Sequence, residues 1–268
     1  MPVVLLAGAP GAGRTTVLRR LVQGSSSGGS GRAYRIAALV QTTSGEDPTD
    51  HTIQSINRSK ADDGGALIAH IGASQERQPS TPVATPVAKP TVSMTDHGSM
   101  FCSVEKGNFL EGIISVTQHM DPDFPLDAVI LEVEAVGDVD NRSMPSEELM
   151  EQASAAAAST STTQFQVGGL VAVVDATEVA AACLSDQVLQ SKNESVTLPL
   201  LPWKRHAVIA DTIVLSKIDL IGPDSVDEVI RYLRSLNPGA KVLPAVRGGV
   251  DLEDLLPPPP PPPPGAKG

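Results

Sequence analysis

Short apolar runs alternate along the chain with longer segments at helical spacing, and that alternation predicts its layers. Residues 3–7 (VVLLA) are apolar without a break, which suits a strand buried on both faces of a parallel sheet. Beyond a glycine-rich turn, Val17, Leu18, Leu21 and Val22 form an apolar stripe, while Arg19 and Arg20 face outward. A second apolar run, YRIAALV (34–40), completes a strand–loop–helix–strand unit. Further runs at 127–137, 168–176, 212–222 and 241–246 predict strands, and ALIAHIG (66–72) a short one. Helical patterns lie between them at 108–120, from 177 onward and over 224–236, with EELMEQASAAAA (147–158) and HAVIAD (206–211) also helix-like. Over 224–236, Val226, Val229, Ile230, Leu233 and Leu236 share one face. Asp224 or Ser225 caps that helix, and Asn237-Pro238-Gly239 stops it. Strands alternating with helices predict an α/β layered sheet, mostly parallel and flanked by helices.

The polar stretches set the organisation. GSSSGGSG (24–31) reads as a flexible connection, and 191–206 as a loop. Residues 41–99 form a long polar insertion, most of 72–98 reading as a mobile loop because it is rich in Pro, Thr, Ser and Ala. Eight prolines, Pro257–Pro264, predict an extended polyproline II rod in a disordered tail. Such a rod acts as a solvated linker or docks on SH3, WW or profilin-like aromatic grooves. The expected division is one domain over 1–256 and a tail over 257–268.

Composition narrows the function classes. A net charge of -11 argues against a nucleic-acid or anionic-membrane partner, because like charges repel. Cys102 and Cys183 are too few for a disulfide framework, no apolar run reaches membrane-spanning length, and the first strand begins at Pro2. The expectation is a cytoplasmic protein.

Candidate chemistry begins at GAPGAGRTT, Gly8 to Thr16, placed at a strand-to-helix turn. Gly8, Gly13 and Thr15 stand where the phosphate-loop pattern G-x-x-x-x-G-K-[ST] needs them, and Arg14 takes the lysine position. Such a loop wraps successive backbone N–H groups around a β-phosphate, and glycines permit the curvature and close approach. Thr15 would place its hydroxyl on Mg2+, and Thr16 would lie near the α-phosphate. Arginine keeps the lysine's charge, but its planar fork does not occupy the same point. SKID, Ser216 to Asp219, follows the apolar strand TIVL. Asp219 could accept both N–H donors of a guanine edge, which adenine lacks, and Lys217 could pack its stem over the base. A glycine-rich turn without ligand and an ordinary surface turn are the alternative readings of the two motifs.

In order, the chain shows GAPGAGRTT, ALVQTTSGE, GSMFCS, LEVEAVG, VAVVDA, ADTIVLSKIDL and LNPGAKVLPAV. That ordered set resembles the CobW-type P-loop GTPases, the metallochaperone branch related to HypB and UreG. The resemblance covers roughly residues 2–256 and implies a P-loop NTPase fold. It implies a GTP or GDP site at Gly8, Gly11, Ala12, Gly13, Arg14, Thr15, Thr16, Lys217 and Asp219. Ser216 replaces the family's commoner asparagine, and Gln41 stands where the family also has asparagine. The carboxylate that meets Mg2+ through water falls on Glu134 by its spacing to Gly137, or on Glu132 by its distance from Asp127. Glu134 is preferred, with Arg14 and Glu134 as the catalytic pair. Asp175, ending VVDA, is read as a strand-terminating residue near the site.

Of the family's GCxCC metal motif, Ser99, Phe101 and Cys102 occupy the three cysteine positions. Cys102 is therefore the remaining thiolate candidate for Zn2+ or Co2+, with His97 and Glu105 as conceivable co-ligands. The family continues into a second, smaller domain where this chain has its proline tract.

Two function classes follow. The first is a GTP-binding protein with weak GTPase activity, whose hydrolysis reshapes the 41–99 region and, in the family, serves metal delivery to a client protein. The second is a degenerate, non-hydrolysing domain acting as a binding or scaffold protein. An ATP-using kinase on the same fold is disfavoured by SKID.

Overall fold

The structure, a computed structural model, describes residues 1–22, 34–42, 69–71, 91–94, 98–105, 109–121, 123, 125–134, 155, 164–192 and 201–256. Nine strands among them form one sheet. They are β1 (Pro2–Gly8), β2 (Ile36–Thr42), β3 (Ala69–Ile71), β4 (Thr91–Met94), β5 (Met100–Glu105), β6 (Ala128–Glu134), β7 (Gln166–Asp175), β8 (Thr212–Ser216) and β9 (Lys241–Pro244). Their order is β3-β4-β5-β2-β6-β1-β7-β8-β9. Every pairing from β5 through to β9 is parallel, and β3 and β4 add an antiparallel edge.

Helices α1 (Arg14–Val22), α2 (Phe109–His119), α3 (Ala176–Lys192), α4 (Pro202–Ile209), α5 (Pro223–Leu236) and α6 (Leu252–Leu255) cover its two faces. Side chains of a strand alternate between faces, so β1 divides its apolar run. Val3, Leu5 and Ala7 face a core completed by α2, α3, α4 and α5, whereas Val4 and Leu6 face α1 and α6. This explains why VVLLA has no polar position: both faces are covered. Truncating Leu5 or Leu6, each at most 2% exposed, would cost roughly 2–5 kcal/mol.

β1 lies between β6 and β7, at the point where the chain's crossovers diverge. From β1 the chain passes over β6 to β2, and from β6 it passes over β1 to β7. Crevices at the carboxyl ends of such strands are the usual ligand sites of parallel sheets. Here that end carries Gly8 and Glu134 and, on the next two strands, Asp175 and Ser216.

Several elements differ from expectation. β5 forms from MFCSVE, a segment expected to carry metal-motif positions and not a strand, and pairs in parallel with β2. β4 falls inside the expected loop 72–98, and pairs with β5. α4 begins at Pro202, four residues before the expected start, because a proline at the first helical position sacrifices no hydrogen bond. α5 begins at Pro223 for the same reason, with Gly222 rather than Asp224 or Ser225 at its N-cap. The strand expected over 212–222 stops at Ser216 and yields to a 3-10 turn, Ile218–Leu220. The connection 24–31, the loop residues 72–90, most of the helix expected at 147–158 and the tail 257–268 lie outside the described residues. Among the described helices none is long and apolar enough to cross a membrane.

Candidate functional site

β1 delivers the chain to the loop Ala9–Gly13, and α1 begins immediately afterwards at Arg14. Gly11 and Gly13 have φ of 80° and 99°, in the left-handed region that side chains disfavour. Gly8 is required for a different reason. A Cβ there would come within 2.5 Å of the Val173 carbonyl oxygen on β7, so no other residue fits without moving backbone. The loop closes with Ala12 N–H donating to the Ala9 carbonyl at 3.1 Å, and Val17 N–H to Gly13 at 3.0 Å. Loop glycines followed by the free N–H groups of a helix start form an anion cradle.

Glu132 stands at the centre of the site. Its carboxylate accepts a hydrogen bond from the Thr15 hydroxyl at 3.2 Å. It also lies 3.9 Å from Arg14 Nε. The Glu132 residue is only 7% exposed. Arg14 Nη1 in turn donates to the Val133 carbonyl oxygen. The guanidinium therefore rests on the end of β6, and its Cγ and Cδ lie beside Gly8. Glu134, the alternative carboxylate, has its backbone paired with Gly8 in the parallel register, but its side chain is outside those described. The same holds for Gln41.

The second motif abuts the first. The Ser216 hydroxyl donates to the Ala12 carbonyl at 2.6 Å, with the Val174 carbonyl 3.1 Å away. One O–H can satisfy one acceptor fully, and the shorter contact assigns it to Ala12. Lys217 follows with φ of 57°, and Asp219 lies exposed on the 3-10 turn. Lys217 Nζ contacts Asp175 Oδ2 at 2.6 Å. Burial would raise the Asp175 carboxyl, but hydrogen bonds from Lys217 and Thr177 outweigh it and hold the group below the ordinary aspartate value. Asp175 thus has a definite partner, which its reading as a strand end did not foresee. The register of β7 with β8, Asp175 opposite Ser216, brings the two together.

Two further neighbours were not legible in the motifs. Gly248, with φ of 74°, packs on the backbone of Thr16 and Val17, where a Cβ would approach to 2.9 Å. The turn after β9 thus braces the start of α1. His206 on α4 is 1% exposed. Burial, and then the positive charge of Arg14, push its pKa below the ordinary value. A single histidine in HAVIAD carried no signal of either.

Cys102 lies away from this cluster. It is fully buried beneath α2, with Sγ 3.9 Å from the Gly112 carbonyl oxygen. Burial pushes the thiol pKa up to about 12. A thiolate is the metal-binding form, so burial opposes binding of zinc or cobalt at this position. Ser99 and Phe101 are buried too, and the Ser99 hydroxyl accepts from Ile36 N–H at 3.1 Å. His97 and the Glu105 side chain lie outside the described parts. Among the described residues no group of three or more His, Cys, Asp or Glu could hold a metal ion.

Mg2+ presents a different case. A threonine hydroxyl and a carboxylate are hard oxygen donors of the kind that ion prefers, and Thr15 and Glu132 bring them together.

The model of the CobW/HypB/UreG nucleotide-binding domain matches residues 2–244. No curated protein sequence matches the chain. Similar solved structures include Zn(II)-bound YjiA GTPase from E. coli, at 17% identity and a TM-score of 0.50 over 96% of this chain and 61% of that one. A Zn(II)-bound triple mutant of YjiA GTPase gives 18% identity and 0.51, with the same coverage of 96% and 61%. Hydrogenase maturation factor HypB from Archaeoglobus fulgidus gives 12% and 0.42, over 92% and 81%. The likeness to YjiA is one of fold, and the chain spans about three fifths of that protein's length.

Proposed function

The chain belongs to the CobW/HypB/UreG nucleotide-binding family, and from that premise we propose that it binds GTP and GDP with Mg2+ and hydrolyses GTP slowly. The observation that carries the guanine reading is the 2.6 Å hydrogen bond from Ser216 to Ala12. It fixes the SKID turn to the phosphate loop, so that a base over Lys217 and Asp219 belongs to the same ligand as phosphates on Gly11–Thr16. Backbone N–H groups of the loop bind the phosphates, and Arg14 contributes charge. Asp219 selects the base edge. Thr15 and Glu132 would hold Mg2+, which when bound neutralises charge on the β- and γ-phosphates. In this reading Glu132, rather than Glu134, is the carboxylate that serves the ion.

A second reading, a domain that binds nucleotide without turnover and serves as a scaffold, is favoured by Arg14. Its guanidinium is engaged with the Val133 carbonyl on the sheet end. Transfer of zinc or cobalt to a client protein is not part of the proposal, because Cys102 is buried and protonated.

Thermal unfolding of the full chain with GTP, GDP and ATP, each with and without Mg2+, tests these readings. Stabilisation by guanine nucleotides and not by ATP is expected. Saturation at about 100 times Kd contributes ~2.7 kcal/mol, a shift of several degrees. No shift with either guanine nucleotide would sink the proposal, and a shift without phosphate release would select the scaffold reading.

A further inference from the structure

Asp175 divides its carboxylate between two jobs. Oδ1 accepts from Thr177 N–H at 2.9 Å and from the Thr177 hydroxyl at 2.7 Å, which is an N-cap arrangement for α3. Oδ2 accepts from Lys217 Nζ at 2.6 Å. A residue serving only as a helix cap needs one oxygen, so the second contact calls for its own explanation. Lys217 is the first residue beyond β8 and holds a left-handed backbone conformation that a side chain rarely adopts. Its side chain is 38% exposed while that of Asp175 is 9% exposed. A flexible lysine stem is thus tethered at its far end to a buried anion, with its flank left partly exposed. An untethered stem would sample many rotamers.

We propose that Asp175 is a positioning residue for base selection, holding Lys217 so that its stem covers one face of the guanine ring and the turn presents Asp219 to the base edge. This rests on the guanine reading of the SKID turn. Asp175 touches neither base nor phosphate in this arrangement; it acts through Lys217. The carboxylate is fixed before ligand arrives, because Thr177 supplies two of its hydrogen bonds from the first turn of α3.

The substitution Asp175→Asn separates the two jobs. Asparagine caps helices as well as aspartate does, so a purely capping role survives it, while the charge facing Lys217 is lost. Calorimetric titration of the full chain with GDP, ADP and inorganic pyrophosphate reads the outcome. For Asp175→Asn, GDP affinity falls about tenfold, the scale of a hydrogen bond to a charged group. ADP and pyrophosphate affinities stay unchanged. Thr177→Val, which removes one of the two fixing bonds, lowers the GDP/ADP ratio by a smaller factor. In a Lys217→Met background, Asp175→Asn produces no further change, since the two residues act as one unit. A parent protein that prefers GDP, together with an Asp175→Asn variant keeping the same GDP/ADP ratio, overturns the proposal. If Asp175→Asn does not fold, an unchanged ratio in Thr177→Val overturns it instead. A parent without guanine preference overturns the guanine reading itself, and the role of Asp175 falls with it.

Discussion

Glu132 and Thr15, 117 positions apart in the chain, meet at 3.2 Å across the carboxyl end of the sheet. The contact exists because β6 and α1 both converge on β1. Leu6 of β1 pairs with Glu132, and the loop after Gly8 turns back so that Thr15 sits above that pair. Conversion of Glu132 to Gln is expected to weaken the Mg2+-dependent part of GTP affinity by roughly 10–100-fold, as loss of an outer-shell carboxylate does. Nucleotide titration with and without Mg2+ in Glu132→Gln and Glu134→Gln checks the assignment. A larger loss in the Glu134 variant would return the role to that residue.

Arg14 occupies the position where a lysine ammonium would meet the phosphates, and its fork is held by Val133. Lysine is a compact point charge without that fork, so Arg14→Lys is expected to raise GTP turnover several-fold. Arg14→Ala should weaken GTP binding by about tenfold or more through loss of a charged contact. Phosphate release under single-turnover conditions distinguishes them. Equal turnover in the parent and the lysine variant would show that arginine is not what limits hydrolysis.

Cys102 packs fully buried beneath α2, and its thiol is protonated at neutral pH because burial raises its pKa to about 12. Zinc affinity of Cys102→Ser is therefore expected to equal that of the parent in a competitive titration. The same variant places a hydroxyl in an apolar site and should lose on the order of 1–3 kcal/mol of stability in urea unfolding. A clear fall in zinc affinity would reinstate the thiol as a ligand.

His206 gives the fold an acid-sensitive point. Its folded pKa lies below the ordinary value of 6.5, first through burial and then through Arg14. The unfolded chain therefore takes up a proton near pH 6.5 while the folded chain does not, so stability falls as pH drops through that value. The loss continues until the lower, folded pKa is reached. Urea unfolding midpoints of the parent should decline between pH 7.5 and 5.5, and those of His206→Gln should decline less. Parallel declines would show that other groups carry the acid response.

Much of this protein was determined by its sequence alone. Uninterrupted apolar runs such as VVLLA fit a strand covered on both faces, and local pattern suffices to place β1, β2, β6, β7 and the helix over 223–236. The candidate phosphate loop was equally legible, because Gly11 and Gly13 answer local backbone demands, whereas Gly8 answers the close approach of Val173 on β7. What local pattern does not contain is register. MFCSVE is broken by Ser103 and lacks the unbroken apolar run that marks β1, so its cysteine stood out while its strand did not. The choice between Glu132 and Glu134 depends on which residue pairs with Leu6 and which with Gly8, and both lie on one strand two positions apart. The partnership of Asp175 with Lys217 likewise arises from adjacent parallel strands ending level with each other. Chain-local chemistry marked out the candidate phosphate loop; the side-by-side order of β6, β1, β7 and β8 decided which side chains stand around it.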